Sequence, residues 1–387
     1  SDPSVVSRYF PAAPSPPPPS EVADAMYLRS RDFNVTQGNV PYYARPSRPV
    51  TDDWRHAPPT DREQYAPLEE TGFFTPRDAP LSTFSIDVDR ASYANARRMI
   101  EDGFLPPRDA VRVEEFVNAF EYDVPGPSAQ DVHPFAVRTE VARAPWAPEH
   151  RLVRIALQGR RIDTADLPPL NLVFLLDVSG SMNSADKLGL VKQGMTLLTQ
   201  NLRQEDRVAI VVYAGAAGLV LPPTDGSNKP ALYAALSQLQ AGGSTAGGAG
   251  LRLAYDVARQ NFDPEATNRV ILATDGDFNV GASSDAEMLR LIEEERESGV
   301  FLSVLGVGTG NLQDAKMETI ADHGNGNYSY LDSVREAEKV LVREMGGTLV
   351  ALAKDVKIQV EFNPALVAGY RLIGYENRRL NDEDFND

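Results

Sequence analysis

The stretch Asn171-Leu-Val-Phe-Leu-Leu-Asp177-Val-Ser179-Gly-Ser181-Met182 decides the fold. Its apolar run does not alternate, which is the pattern of a short strand covered on both faces. The run ends in one carboxylate and two hydroxyls, spaced i, i+2, i+4 on the following loop. That spacing gathers hard oxygens, which suit a small divalent cation such as Mg²⁺. A polar strand-to-helix turn with an N-cap would look similar, so the reading depends on what stands downstream.

Two downstream segments supply the remaining oxygens. Gly242-Gly-Ser-Thr245-Ala-Gly-Gly248 offers the Thr245 hydroxyl on a glycine loop just before a helical pattern, although alone it would read as a flexible surface loop. Arg269-Val-Ile-Leu-Ala-Thr-Asp275-Gly-Asp277 is a second buried strand that ends on a carboxylate before a glycine turn. Open parallel sheets carry their functional groups outside the carboxyl ends of the strands, where Asp177 and Asp275 both fall. Asp277 and Asn279, just beyond, are candidates for contacting a ligand or for capping the next turn. From Asn171 to Ala353 strand and helix patterns alternate, which indicates a doubly wound, mostly parallel sheet with helices on both faces.

Asp177, Ser179, Ser181, Thr245 and Asp275 resemble the metal-ion-dependent adhesion site of von Willebrand factor A domains. The wider wording resembles a narrower group, bacterial cell-envelope proteins that carry such a domain and are often lipoproteins. It runs from Pro80-Leu-Ser-Thr-Phe-Ser-Ile-Asp-Val-Asp89 through Val211-Val-Tyr-Ala-Gly215 to Arg371-Leu-Ile-Gly-Tyr375-Glu-Asn-Arg378. The likeness covers roughly residues 80 to 387. It implies a Rossmann-like α/β fold and Mg²⁺ at the site, with Mn²⁺ or Ca²⁺ as alternatives. In the family pattern Ser179, Ser181 and Thr245 ligate directly, while Asp177 and Asp275 act mainly through water. The expected partner is a protein that presents an Asp or Glu carboxylate to the ion. The expected location is the extracytoplasmic cell envelope, with lipid anchoring in the full precursor.

Composition narrows the alternatives. The 387 residues carry 38 Lys and Arg against 55 Asp and Glu, a formal charge of −17. That balance excludes a generally basic nucleic-acid surface and disfavours docking on anionic lipid. No apolar run approaches the eighteen or so residues of a membrane span, so membrane association would need an anchor outside this sequence. Cys is absent, which removes disulfides, thiolate metal sites and Cys nucleophiles. The four histidines, His56, His133, His150 and His323, are scattered and suggest no triad or zinc set. Metal-assisted hydrolysis would need a general base over a bound water, and none declares itself. Binding rather than catalysis is therefore the expectation, with a metal-assisted hydrolase and a structural scaffold with an unused site as alternatives.

The rest of the chain divides into four parts around residues 166–354. Residues 1–80, with the Pro-rich stretch Ala12 to Ser20, read as an extended tether. Residues 81–125 read as a small strand-helix-helix module. Its second helical stretch, Arg108 to Tyr122, offers Val111, Val113, Phe116, Val117 and Phe120 as an apolar face. Asp87-Val88-Asp89 resembles the carboxylate pair of haloacid-dehalogenase-type phosphatases, but Arg90 and Ala91 break that pattern, and Asp89 reads as the cap of the helix that follows. Segments 126–165 and 355–387 both carry β patterns, at Phe135–Val141, Leu152–Leu157 and Val356–Phe362. A lone sheet needs a covering layer, so the expectation is one β-sandwich built from both flanks, with the A domain inserted in it. The long helix expected from Ser333 to Ala353 would lead from that domain into the sandwich.

Overall fold

The strand Leu170–Asp177 lies inside the main sheet, and every one of its residues is buried. It belongs to a computed structural model that describes residues 62–386, apart from 87, 129, 161–166, 245–246, 277, 279–284 and 344–355. These residues fall within one compact unit, 53–387. The tether's first 61 residues and the far half of the expected 333–353 helix lie outside the described residues.

In chain order the strands are β1 (Leu81–Ser85), β2 (Phe135–Ala144), β3 (Ala147–Gly159), β4 (Leu170–Asp177), β5 (Arg207–Tyr213), β6 (Ala217–Asp225), β7 (Thr267–Thr274), β8 (Phe301–Val307), β9 (Tyr328–Leu331) and β10 (Lys357–Glu361). The helices are α1 (Ala91–Glu101), α2 (Val113–Asn118), α3 (Leu188–Asn201), α4 (Lys229–Gln238), α5 (Gly247–Gln260), α6 (Asp285–Glu297), α7 (Asp314–His323) and α8 (Val334–Glu338), the last running into a π-helical turn at Lys339–Arg343. Six strands form the main sheet in the order β6-β5-β4-β7-β8-β9. All its pairings are parallel except β5 with β6. Successive strands step outward from β4 in one direction and from β7 in the other, so the sheet reverses its winding between these two neighbours. That is where an open α/β sheet leaves a crevice for ligands.

The strands bury both faces because two helical layers cover them. Leu172, Phe174 and Leu176 pack with α3, α4 and the residues after α8, while Val173 and Leu175 pack with α5, α6 and α7. This doubly wound α/β domain is the fold the sequence predicts.

The flanking segments depart from expectation. The 357–361 strand does not join the 135–159 strands in a sandwich layer. It pairs antiparallel with β1, Leu81 facing Glu361 and Ser85 facing Lys357. The physical reason lies in the aromatic residues around β1. Phe84 stacks on Tyr375 with centroids 6.1 Å apart, Phe362 stacks on Tyr370 at 4.0 Å, and the Tyr370 hydroxyl donates to the Leu81 carbonyl at 2.6 Å. Leu380 N donates to the Thr83 carbonyl at 3.0 Å on the other edge of β1. The C-terminal segment thus closes on the strand-helix-helix module, burying Phe84.

Strands β2 and β3 form a separate two-stranded hairpin. Val137, Val141 and Val153 share one of its faces and are 55%, 64% and 47% exposed, so no second layer covers them among the described residues.

The small module also differs in detail. The stretch after Arg108 is a short 3₁₀ turn at Arg108–Ala110 followed by the six-residue α2, and α2 turns Glu114 and Glu115 inward. Val113, Val117 and Phe120 are exposed. Glu115 is drawn inward by the buried Arg112, with which it forms a close ion pair. Asp89 does not cap α1, whose N-cap position is Arg90. It is buried, and its Oδ1 accepts from the backbone N–H of Tyr328 on β9 at 2.7 Å, joining the module to the main sheet. Asp87 lies outside the described residues.

Candidate metal centre

The carboxylates Asp177 and Asp275 stand at the carboxyl ends of the neighbouring strands β4 and β7, where the winding reverses. Both are fully buried, as is Ser179, while Ser181 is exposed at the surface of the loop. The loop geometry follows from the sequence. Asp177 Oδ1 accepts from the Ser179 N–H at 2.9 Å, which bends the chain directly after the strand. A 3₁₀ turn at Gly180–Met182 then brings the Ser181 hydroxyl to 3.0 Å from that of Ser179.

The glycine loop lies against this turn. Gly180 N donates to the Gly243 carbonyl at 3.1 Å, and Gly242 N donates to the Val178 carbonyl at 2.7 Å. Thr245, Asp277 and Asn279 themselves lie outside the described residues. Of the seven candidate residues, the structure therefore brings Asp177, Ser179, Ser181 and Asp275 together.

Four further residues shape the site. The Tyr213 hydroxyl and the Thr274 hydroxyl both donate to Asp177 Oδ2, at 3.0 and 3.2 Å. The Lys187 ammonium donates to Asp275 Oδ2 at 2.9 Å and to Asn311 Oδ1 at 3.2 Å. Tyr213 and Thr274 could have been suspected, because each is a hydroxyl at the end of an apolar strand. Lys187 and Asn311 carry no such signal. Lys187 follows a run of small polar residues, and Asn311 lies in a loop far along the chain. Gly276 is required where it stands: its φ is +110°, and a Cβ there would meet the Asn311 carbonyl oxygen at 2.5 Å. That contact lets the 308–313 loop close against Asp275.

Electrostatics separate the two carboxylates. Burial raises Asp177 above the usual carboxylate range and the charge of Asp275 adds to this, against the hydrogen bonds from Ser179 and Tyr213. Burial acts the same way on Asp275, but Lys187, Asn311 and Ser181 outweigh it and hold that carboxyl below its ordinary value.

This donor set fits a small hard cation. All its candidate ligands are oxygens, and neighbouring ligands of an octahedral Mg²⁺ with bonds of about 2.0–2.1 Å are separated by roughly 2.9 Å. The two serine hydroxyls are 3.0 Å apart. Among the described residues no group of three or more His, Cys, Asp or Glu side chains is placed to hold a metal. The site is thus hydroxyl-rich, with two carboxylates behind.

Residues 171–342 match the family model of the von Willebrand factor type A domain. The chain carries a von Willebrand factor A domain. Residues 59–154 match a second model described as von Willebrand factor, and 347–387 match the C-terminal model of Uncharacterized protein YfbK. The Escherichia coli (strain K12) protein of that name is 50% identical over 313 residues, a match that covers 79% of this chain and 54% of the relative. The chain therefore spans about half the length of that relative. Among solved structures, a von Willebrand factor type A protein from Catenulispora acidiphila shares 21% identity at a TM-score of 0.41, covering 57% of this chain and 51% of its own. BatB from Bacteroides thetaiotaomicron shares 23% identity at 0.39, covering 46% and 98%. No helix among the described residues of this A-domain chain is long and apolar enough to cross a membrane.

Proposed function

We propose that this A-domain chain is a metal-dependent protein-binding module of the bacterial cell envelope and that it catalyses nothing. The observation that carries the reading is the pair of serine hydroxyls 3.0 Å apart, Ser179 buried and Ser181 exposed, backed by two buried carboxylates at the winding reversal. Ser179 and Ser181 would hold the metal directly, Thr245 would complete the set, and Asp177 and Asp275 would balance its charge from behind. Mg²⁺ is the ion that such donors suit best. A divalent ion held by neutral hydroxyls supplies an electron-poor centre for one carboxylate from outside.

The chain's own charge of −17 repels a generally acidic partner, so recognition rests on a single presented Asp or Glu. The described histidines are engaged away from the site where contacts are seen. His323 sits 2.7 Å from Glu293, and the His150 ring packs against Phe73 at 5.4 Å. Hydrolysis would need a base above a bound water, so turnover is measured beside binding.

The test is capture from an envelope extract in Mg²⁺ and in EDTA, alongside hydrolysis assays on phosphoester, ester and peptide substrates. The expected result is a partner retained in Mg²⁺, released by EDTA, and no turnover. Retention indifferent to EDTA would defeat the reading.

A further inference from the structure

Lys187 is built into the site. Its side chain is 12% exposed, and its ammonium bridges Asp275 Oδ2 and Asn311 Oδ1 at 2.9 and 3.2 Å. Its stem lies across Gly308, where φ is +75° and a Cβ would stand 2.3 Å from the lysine Cε. Asn311 is held in turn by the segment before the small module. Arg62 N and Gln64 N donate to the carbonyls of Gly310 and Leu312 at 2.9 and 2.8 Å, and Gly310 N donates to Glu63 Oε1 at 3.0 Å. Three separate parts of the chain therefore fix one cation against a carboxylate that the proposed site uses.

The formal charges give this contact its consequence. Among the described residues, Asp177 and Asp275 together match the formal charge of a divalent ion, which weakens the pull of a loaded site on an anion even though its direct ligands are neutral hydroxyls. The fixed lysine restores one positive charge. It also occupies Asp275 before any ion arrives and repels that ion as it binds. Both effects weaken metal binding, and the residual charge strengthens binding of a carboxylate.

We propose that Lys187 sets the charge of this site, lowering its affinity for the divalent ion and raising the affinity of the loaded site for the carboxylate of its partner. The proposal rests on the metal-binding reading above and deepens it. A purely structural ion pair, or a lysine that serves only to aim Asp275 at the ion, would behave differently when the charge is removed.

The test compares the whole chain with Lys187→Met and Lys187→Gln, which keep much of the stem over Gly308 and remove the charge. Mn²⁺ affinity is measured by calorimetric titration. Acetate binding to Mn²⁺-saturated protein is read from paramagnetic broadening of its methyl resonance. Both variants should bind Mn²⁺ about tenfold more tightly and acetate about tenfold more weakly than wild type. Unchanged or weaker Mn²⁺ binding in both variants, with wild-type binding intact, overturns the role of Lys187 and leaves the metal site standing. Absence of Mn²⁺ binding in wild type and both variants overturns the metal reading and this proposal with it.

Discussion

Replacing Arg112 with methionine should lower unfolding free energy by about 3–5 kcal/mol, the usual penalty for removing one partner of a buried charge cluster. Arg112 is 2% exposed and faces three carboxylates. Glu115 forms a close pair with it, Asp314 Oδ2 lies at 2.5 Å and Glu318 Oε2 at 3.4 Å. Its backbone N–H donates to Ser92 Oγ at 2.9 Å, and the Ser92 N–H donates to Glu115 Oε2 at 2.7 Å. The cluster therefore ties α1 and α2 of the small module to α7 of the A domain. Methionine fills a similar volume but leaves the carboxylates facing one another. Urea unfolding at pH 8.5, above the values to which burial raises Glu115 and Glu318, measures the loss, and limited proteolysis across residues 81–122 reports whether the module detaches. A loss below about 1 kcal/mol would mean that the carboxylates find compensation elsewhere.

The same cluster sets a pH dependence whose sign is fixed. Burial pushes Glu115 up to about 8, with Arg112 opposing, and burial pushes Glu318 up to about 7 against the same arginine. A carboxyl raised on folding binds more protons in the native state than in the unfolded one. Its contribution is fully present below the ordinary carboxylate value and is lost as pH rises through the folded value. The wild type should therefore lose stability between about pH 5 and pH 8.5, by roughly 1–3 kcal/mol. The Arg112→Met penalty should be smaller at pH 5, where Glu115 and Glu318 carry protons, than at pH 8. A penalty that grows toward acid would contradict the protonation of these two groups.

The central domain was legible because its strands are short, apolar and buried on both faces, and two of them end in aspartate. That pattern is local, so reading along the chain finds it. The partner of β10 was not legible in the same way. Val356, Ile358, Val360 and Phe362 mark a strand with one apolar face, but pairing with β1 depends on aromatic contacts from Tyr370 and Tyr375 that sequence spacing does not reveal. The inward turn of α2 was hidden for a related reason. Its apolar residues suggest a buried face, yet Phe116 and Phe120 reach Tyr93 at 5.4 and 5.2 Å while Glu115 goes to the interior. A buried carboxylate is unfavourable without a paired cation, and Arg112 supplies one from three residues away. At the site, Asp177, Ser179, Ser181 and Asp275 were visible as loop ends after buried strands. Lys187 was not, because nothing local links a lysine five residues past Met182 to a carboxylate on another strand.

Asp177→Asn should weaken Mn²⁺ binding about a hundredfold while the domain stays folded, and Asp177→Ala should lose both binding and stability. The contrast follows from what Asp177 does besides carrying charge. It is fully buried and accepts from the Ser179 N–H, the Tyr213 hydroxyl and the Thr274 hydroxyl. Alanine leaves these donors without an acceptor, and each buried orphan costs about 1–3 kcal/mol. Asparagine has nearly the same volume and keeps an oxygen for the Ser179 N–H, and the Tyr213 and Thr274 hydroxyls can turn to accept from its NH2. Burial already holds Asp177 above the usual carboxylate range, with the charge of Asp275 pressing in the same direction. The ion-free fold therefore gains little from its ionised form, and a neutral side chain relieves the repulsion. A divalent cation, by contrast, draws its affinity from that charge. Calorimetric titration with Mn²⁺ and thermal melts followed by circular dichroism separate the two effects. An asparagine variant that binds Mn²⁺ within about threefold of wild type would remove Asp177 from the metal site, because loss of a full negative charge beside a divalent ion cannot leave the affinity so nearly unchanged.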